Sequence, residues 1–487
     1  MSKTYAVLAL ALAAAALTPL SCKSDDDEAA APAVKPVTVG KCKYTIAPRA
    51  EYKDIFVPKD SAEAAKGVTV AQPNFRRIRL GLGGNVRPDA SDRPDPSTSV
   101  AVAWETEVGV TASWVQYGTT PDPASWKDSE FGASYVVPAA EKSLSAKNTP
   151  QQLHEVHLCG LSPSTTYYYR VGGGPAGQEV WGDVLSFKTT PGPDADEEVT
   201  LAVTGDSRGN NNNAWQILQE RLYKRGDVTA QVFSGDMIDL AFDQQAYEDW
   251  LDNAGTDTAG KRSMLGQVLT MQTMGNHELY NAQFFSAIVQ PQDPAFGPRN
   301  DELFFSANVG PIHVIVLDDQ RIGVPGTDKD YAPMVIKWLH DDLNAVDRTK
   351  QPWVVAVHHR SEFSSANHGT DSDVIAVRKA LVPVWDEHKV NLILAGHDHN
   401  YERSKPLRGA DTQTFGEGTR YIVCAGSGAE SYGNSKSDFT EVSARYDDKA
   451  TIGVYGILKA TRSKLSFTAH SLTPDNTDAE IDKFELP

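Results

Sequence analysis

Between about residues 74 and 190, apolar and polar positions trade places in short runs. The clearest are 99–104, 111–117, 154–158 and 166–171, each closed off by Pro, Gly or Asp. A period of two with turn residues between the runs predicts half-buried strands, and a series of them predicts a β-sandwich. Residues 191–198 (PGPDADEE) form a linker by composition, and the period changes after it. Residues 199–204 are almost continuously apolar, 214–225 set Trp215, Leu218 and Leu222 at helical spacing, and 230–233 are apolar again. Later apolar runs at 312–317, 353–357 and 390–394 continue the strand–helix–strand alternation, which predicts an α/β domain with its sheets covered on both faces. From residue 420 onward β character returns, at 421–423, 453–458 and 465–470, and is expected to complete the sheets.

Length and charge narrow this picture. At 487 residues the chain exceeds one ordinary core, so two domains plus extensions are expected. A net charge of −18 disfavours nucleic acid and anionic membrane surfaces as partners. The start of the chain is set apart: Lys3 precedes an apolar run over 6–17 that is too short to span a bilayer, and residues 1–21 read as a signal peptide. Cys22 follows Thr18-Pro-Leu-Ser21 and resembles the lipidated cysteine of a bacterial lipobox, with Pro19 where that pattern prefers leucine. The expectation is an exported protein of the cell envelope, periplasmic or held to the outer membrane by a lipid on Cys22; simple secretion is the alternative. Residues 22–73 then form a tether and N-terminal extension, the tether being the Ala-, Pro- and Asp-rich stretch up to residue 39. Of the remaining cysteines, Cys42, Cys159 and Cys424, an oxidising compartment permits one disulfide and leaves one thiol over, with the pairing open.

The chemistry sits in five short motifs at strand ends: Gly205-Asp-Ser-Arg208, Gly235-Asp-Met-Ile-Asp239, Gly275-Asn-His-Glu278, Val357-His-His-Arg360 and Gly396-His-Asp-His399. Each offers a carboxylate, carboxamide or imidazole, and none contains cysteine. Hard oxygen donors mixed with imidazoles suit Fe, Mn, Zn or Mg-like ions rather than a structural zinc knot. Two such ions need a bridging carboxylate, terminal ligands and a proton donor for the leaving group. Asp236 can bridge; Asp206 and His399 can complete one side, and Asn276, His359 and His397 the other. His277 stands beside a ligand and is free to donate a proton. The remaining histidines, His313, His340, His388 and His470, read as surface or packing residues, and His154 and His157 as surface or strand-face residues.

These motifs, in this order, resemble the calcineurin-like metallophosphoesterases and, within them, the purple-acid-phosphatase-like branch. The resemblance covers nearly all of the chain after residue 74. Gly396-His-Asp-His-Asn-Tyr-Glu-Arg403 is close to the final family motif, and His359-Arg-Ser-Glu-Phe-Ser-Ser365 follows its penultimate one with Ser361 and Phe363 in place of Pro and Tyr. That register makes His359 the ligand, with its neighbour His358 as the alternative. Leu161-Ser-Pro-Ser-Thr-Thr-Tyr167 is similar to a strand entry of fibronectin type III domains. The resemblance implies a fibronectin-like β-sandwich over 74–190 and an αββα metallophosphoesterase domain over 199–487. It further implies two divalent or trivalent ions (Fe, Mn or Zn) and a small-molecule phosphomonoester attacked by metal-activated hydroxide. His277, with His368 as a second candidate, would act as acid, and Arg208, Asn276 and His368 would bind substrate. Phosphodiesters or nucleotides, or a catalytically weakened surface-anchored binding protein, are the alternatives.

Two positions depart from the family. Purple members carry a metal-binding tyrosine three residues after the bridging aspartate; Asp239 stands there, so a colourless enzyme is expected. The wider superfamily has a histidine two residues after the first aspartate; Arg208 stands there instead. One metal position is left with Asp206, Asp236 and His399. Arg208 either forks onto the substrate phosphate or acts as a counter-ion beside Asp206.

Overall fold

The computed structural model describes residues 37–487 apart from 40–41, 45–51, 66–71, 85–93, 141–147, 175–178, 209–212, 255–263, 279, 281, 292–295, 297–301, 324–328, 434 and 447–449. The signal peptide, Cys22 and most of the tether therefore lie outside the described residues.

The alternating runs become the strands Ser99–Thr106, Trp114–Gly118, Gln151–Cys159 and Thr166–Gly173, distributed over two antiparallel sheets. Their inward residues, among them Val102, Trp104, Val115, Val156, Tyr169, Val171 and Phe187, interleave as one core between the sheets. The sandwich reaches further toward the N-terminus than its alternating pattern. Lys53–Phe56 pairs with Ala133–Val137, and Cys42 forms a disulfide with Cys159. His154 and His157 are buried rather than on the surface. His154 sits between the hydroxyls of Thr106 and Ser113 and stacks on Trp104, and His157 pairs with Glu155.

The C-terminal domain is built on two facing sheets. The first has the order Leu269–Gln272, Ala230–Phe233, Val199–Thr204, Gly453–Thr461, Lys464–Leu472, Glu480–Leu486. The second has the order Phe304–Val309, Ile312–Leu317, Trp353–Arg360, Leu392–Gly396, Arg420–Cys424, Tyr401–Ser404, Thr440–Ala444. Leu201, Val203 and Val232 of one sheet pack against Val314, Val316, Val355, Leu394 and Ile422 of the other. Helix Ala214–Arg225 covers the outer face of the first sheet through Ala214, Leu218 and Leu222. Tyr331–Asn344 and Ser372–His388 cover the second through Val335, Leu339, Val377, Leu381 and Trp385. The result is an αββα domain, whose doubly covered strands explain the continuous apolar runs. No described helix is long and apolar enough to cross a membrane.

Val199–Thr204, Ala230–Phe233 and Leu269–Gln272 run parallel, as do Ile312–Leu317, Trp353–Arg360, Leu392–Gly396 and Arg420–Cys424. Parallel strands point their C-terminal ends the same way, so the five motif loops gather at one edge of the paired sheets.

Candidate metal centre and active site

Three of the five loops turn on backbone that side chains rarely adopt. Asp206, Asp236 and His397 have φ of 51°, 58° and 70°. Left-handed non-glycine residues cost about 1–3 kcal/mol each and persist only where surrounding contacts hold them. Those contacts are present. Asp206 N–H donates to Gly235 O at 2.9 Å, Arg208 N–H to Asp236 O at 3.3 Å, and His397 N–H to an Asp206 carboxylate oxygen at 3.0 Å. The motif glycines serve close approach: a Cβ on Gly275 would lie 2.1 Å from Asp236 Oδ1, and one on Gly396 2.2 Å from Asp206 Oδ2.

Asp206, Asp236 and His399 are buried, and their candidate donor atoms lie within 4.8 Å of one another. His399 Nε2 is 3.4 Å from Asp206 Oδ1, and both His399 Nε2 and Asp206 Oδ2 lack a hydrogen-bond partner. Two buried carboxylates with a free imidazole nitrogen and a free oxygen aimed together are the donor set of a cation site, so these residues fit a metal ion. On the other side of Asp236, His359 Nε2 is 3.4 Å from Asp236 Oδ1 and 2.9 Å from Asn276 Oδ1, and the His397 ring lies 5.0 Å from that of His359. Burial alone would lower His359, but Asp236 and Asp206 outweigh it and raise its pKa. Burial and the facing His359 and His368 hold His397 well below the usual imidazole range.

His358 points away from this centre. It bridges the buried carboxylates of Asp319 (3.0 Å) and Glu362 (3.2 Å); burial works against its charge, yet Glu362 and Asp319 push it up to about 10. Its neighbour His359 donates through Nδ1 to Ser234 O at 2.7 Å, which orients Nε2 toward Asn276 and Asp236.

His368 lies at the rim. Its ring is 4.2 Å from His397, its Nδ1 2.8 Å from Asp371 Oδ2, and its N–H donates to Asp398. His277 and Arg208 face each other directly, with Arg208 Nη1 2.6 Å from His277 Nε2. A guanidinium only donates, so Nε2 accepts here and Nδ1 donates to Asp239 O at 2.6 Å. Arg208 also reaches Glu430 Oε1 at 3.0 Å and lies 3.9 Å from Asp236 Oδ2. Asp239 is 64% exposed and turns toward Arg208 at 3.5 Å, apart from the Asp206–Asp236–His399 cluster.

Several residues that shape the site have roles the motif reading does not assign. Glu278 is buried and accepts the amides of Gly275, Asp236 and Met237, which ties the third loop to the second; burial and Asp236 raise its pKa. Residues 425–432 lace the first loop to the fifth. Ser427 N–H donates to Gly205 O, Ala429 N–H to Asp206 O and Tyr432 N–H to His399 O; Glu430 O accepts from His399 Nδ1, and Tyr432 stacks on His399. The one signal for this segment is its Gly/Ser-rich turn composition directly after a strand. A second grouping of His340, Glu387 and His388 lies on the outer helices, where His340 and His388 pair at 2.8 Å.

Comparison with known proteins accords with this geometry. The family described as purple acid phosphatase, N-terminal domain, matches residues 91–189, and that described as calcineurin-like phosphoesterase matches 199–401. A phosphoenolpyruvate phosphatase of Allium cepa is 28% identical over 73% of this chain and 68% of its own length. A probable purple acid phosphatase of Arabidopsis thaliana is 26% identical over 62% and 65%. The chain thus spans about two thirds of these relatives. Among solved structures, a purple acid phosphatase from yellow lupin (Lupinus luteus) seeds superposes with a TM-score of 0.66 at 18% identity, over 85% of this chain and 74% of that one. PhoD superposes with 0.57 at 14%, over 84% and 89%. With both domains matched in order and the αββα fold shared, the chain belongs to the calcineurin-like metallophosphoesterases, in the purple-acid-phosphatase-like branch.

Proposed function

We propose that the protein is an exported, metal-dependent phosphatase that hydrolyses small-molecule phosphomonoesters at the strand-end cluster. The observation that carries this reading is the convergence of buried Asp206, Asp236 and His399, with Asp206 Oδ2 and His399 Nε2 unpartnered, beside Asn276, His359 and His397. Asp206 and His399 would hold one ion and Asn276, His359 and His397 a second, with Asp236 between; Fe, Mn and Zn all suit this donor set. Bound there, such ions supply positive charge to phosphoryl oxygens and acidify water. The chain's own groups do the rest. Arg208 and Asn276 take phosphoryl oxygens from below and His368 from the rim, while His277 carries the proton to the departing alkoxide. For that role His277 Nε2, which accepts from Arg208 in this structure, must part from the guanidinium and take up a proton.

The Cys42–Cys159 disulfide supports an oxidising compartment and hence export. Replacing Cys22 by alanine should move the protein from the membrane fraction to the soluble one; wild-type protein found soluble would rule out the lipid anchor. The catalytic reading is tested by metal analysis alongside turnover of p-nitrophenyl phosphate and of bis(p-nitrophenyl) phosphate. Metal-dependent turnover that favours the monoester is expected. Bound metal with no turnover under Fe, Mn, Zn or Mg would overturn it in favour of a binding protein, and preference for the diester would reassign the substrate.

A further inference from the structure

Resting on the reading of this site as a phosphoesterase centre, we propose that Glu430 is an internal stand-in for the substrate. Its carboxylate occupies, on Arg208, the place that a phosphoryl group takes, and phosphate must displace it to bind.

The Arg208 fork has both ends engaged. Nη1 donates to His277 Nε2 at 2.6 Å and Nη2 to Glu430 Oε1 at 3.0 Å. The Arg208 side chain is 11% exposed and its Nη1 stands 3.9 Å from Asp236 Oδ2, so it borders the metal-type cluster. Carboxylates and phosphates present the same paired-oxygen edge to a guanidinium, so one competes directly with the other. Glu430 is suited to yield. Its side chain is 56% exposed, and it reaches Arg208 from the solvent side. Water at the carboxylate end screens the pair and weakens it. Its main chain, by contrast, is fixed: the Glu430 carbonyl accepts from His399 Nδ1 at 2.7 Å, and Ala429 N–H donates to Asp206 O at 3.0 Å. The carboxylate can therefore swing out without disturbing the loop that orients Asp206 and His399.

A phosphoryl group that claims the fork would draw Nη1 from His277 as well, parting the guanidinium from the imidazole. Filling the anion place and releasing the imidazole thus become one event.

The test measures inorganic phosphate binding to the metal-loaded full-length protein by calorimetry, and as competitive inhibition of p-nitrophenyl phosphate turnover. Glu430→Gln keeps the size and the backbone contact but removes the charge, and is expected to tighten phosphate about two- to five-fold. Arg208→Gln should weaken it at least about ten-fold. The double variant should match Arg208→Gln, because Glu430 acts through that arginine. Metal content and melting temperature of Glu430→Gln should equal wild type, and Glu430→Ala should show the same tightening. Unchanged or weaker phosphate binding in Glu430→Gln would overturn the proposal. So would an equal gain in the Arg208→Gln background, which would mean a general field effect. If calorimetry shows the expected pattern but no phosphoester is turned over, the phosphatase reading fails while this one stands.

Discussion

Arg208 and His277 show how two residues of plain type acquire roles from what faces them. In the structure the imidazole accepts from the guanidinium, so the acid role proposed for it requires that contact to break. His277→Ala should cut turnover of alkyl phosphates by about 100-fold or more while costing activated aryl phosphates little, since p-nitrophenolate leaves without a proton. Equal losses on both substrates would remove it from the acid role. Asp206 offers an unpartnered oxygen to the cluster. Asp206→Asn should lose bound metal measurable by elemental analysis, and should lose more activity than the ~10–100-fold typical of outer-shell changes. These side chains were legible in the sequence because carboxylates, carboxamides and imidazoles at strand ends declare their chemistry by type. Glu430 and Tyr432 were not legible, because their hold on the site runs largely through backbone amides and carbonyls that every residue owns.

At the scale of elements, helix Gln244–Asp252 links the sandwich to the first motif loop. Trp250 Nε1 donates to Ser207 Oγ at 2.8 Å, and Ser207 Oγ donates to Met237 O at 3.1 Å, which staples the first loop to the second between Asp206 and Arg208. Trp250 also stacks on Trp215, whose own Nε1 donates to Trp250 O. Trp250→Phe keeps the ring stack and removes the N–H. It should cost about 1 kcal/mol in stability and lower kcat about ten-fold, read by denaturation alongside steady-state kinetics. On either side of Trp250 along this helix, Glu248 and Asp252 pair with Arg77 of the sandwich, which also pairs with Glu105 of its own sheet. Arg77→Met would leave Glu105 buried beside the more distant Arg79, and should destabilise the full chain by about 3 kcal/mol in urea denaturation.

Across the whole molecule, the sandwich carries an acid sensitivity of its own. Burial depresses His154 from the ordinary imidazole value to about 3. The unfolded chain takes up this proton near pH 6.5 and the folded one only near 3. The stability contributed by neutral His154 is therefore full above pH 6.5 and lost as pH falls through that window, by about 1.4 kcal/mol per pH unit. Unfolding midpoints measured from pH 7 to 4 should fall accordingly, and His154→Gln should flatten the slope. A slope unchanged by that substitution would assign the effect to other groups.

By itself the sequence determined the order of the domains, their layer type and the chemical types at the centre, since period, linker composition and side-chain class are local properties of the chain. Only the tertiary structure decided which of two adjacent histidines faces the centre. Successive residues of a strand end point to opposite sides, and the partners waiting there include Asp319 for His358 and Ser234 and Asn276 for His359, all from distant segments. The same holds for the pairing of Cys42 with Cys159 rather than Cys424, which is buried in the far domain, and for the meeting of Arg208 with His277 and Glu430. Each depends on proximity across tens to hundreds of residues, which parallel strands and shared loops impose and no local pattern records.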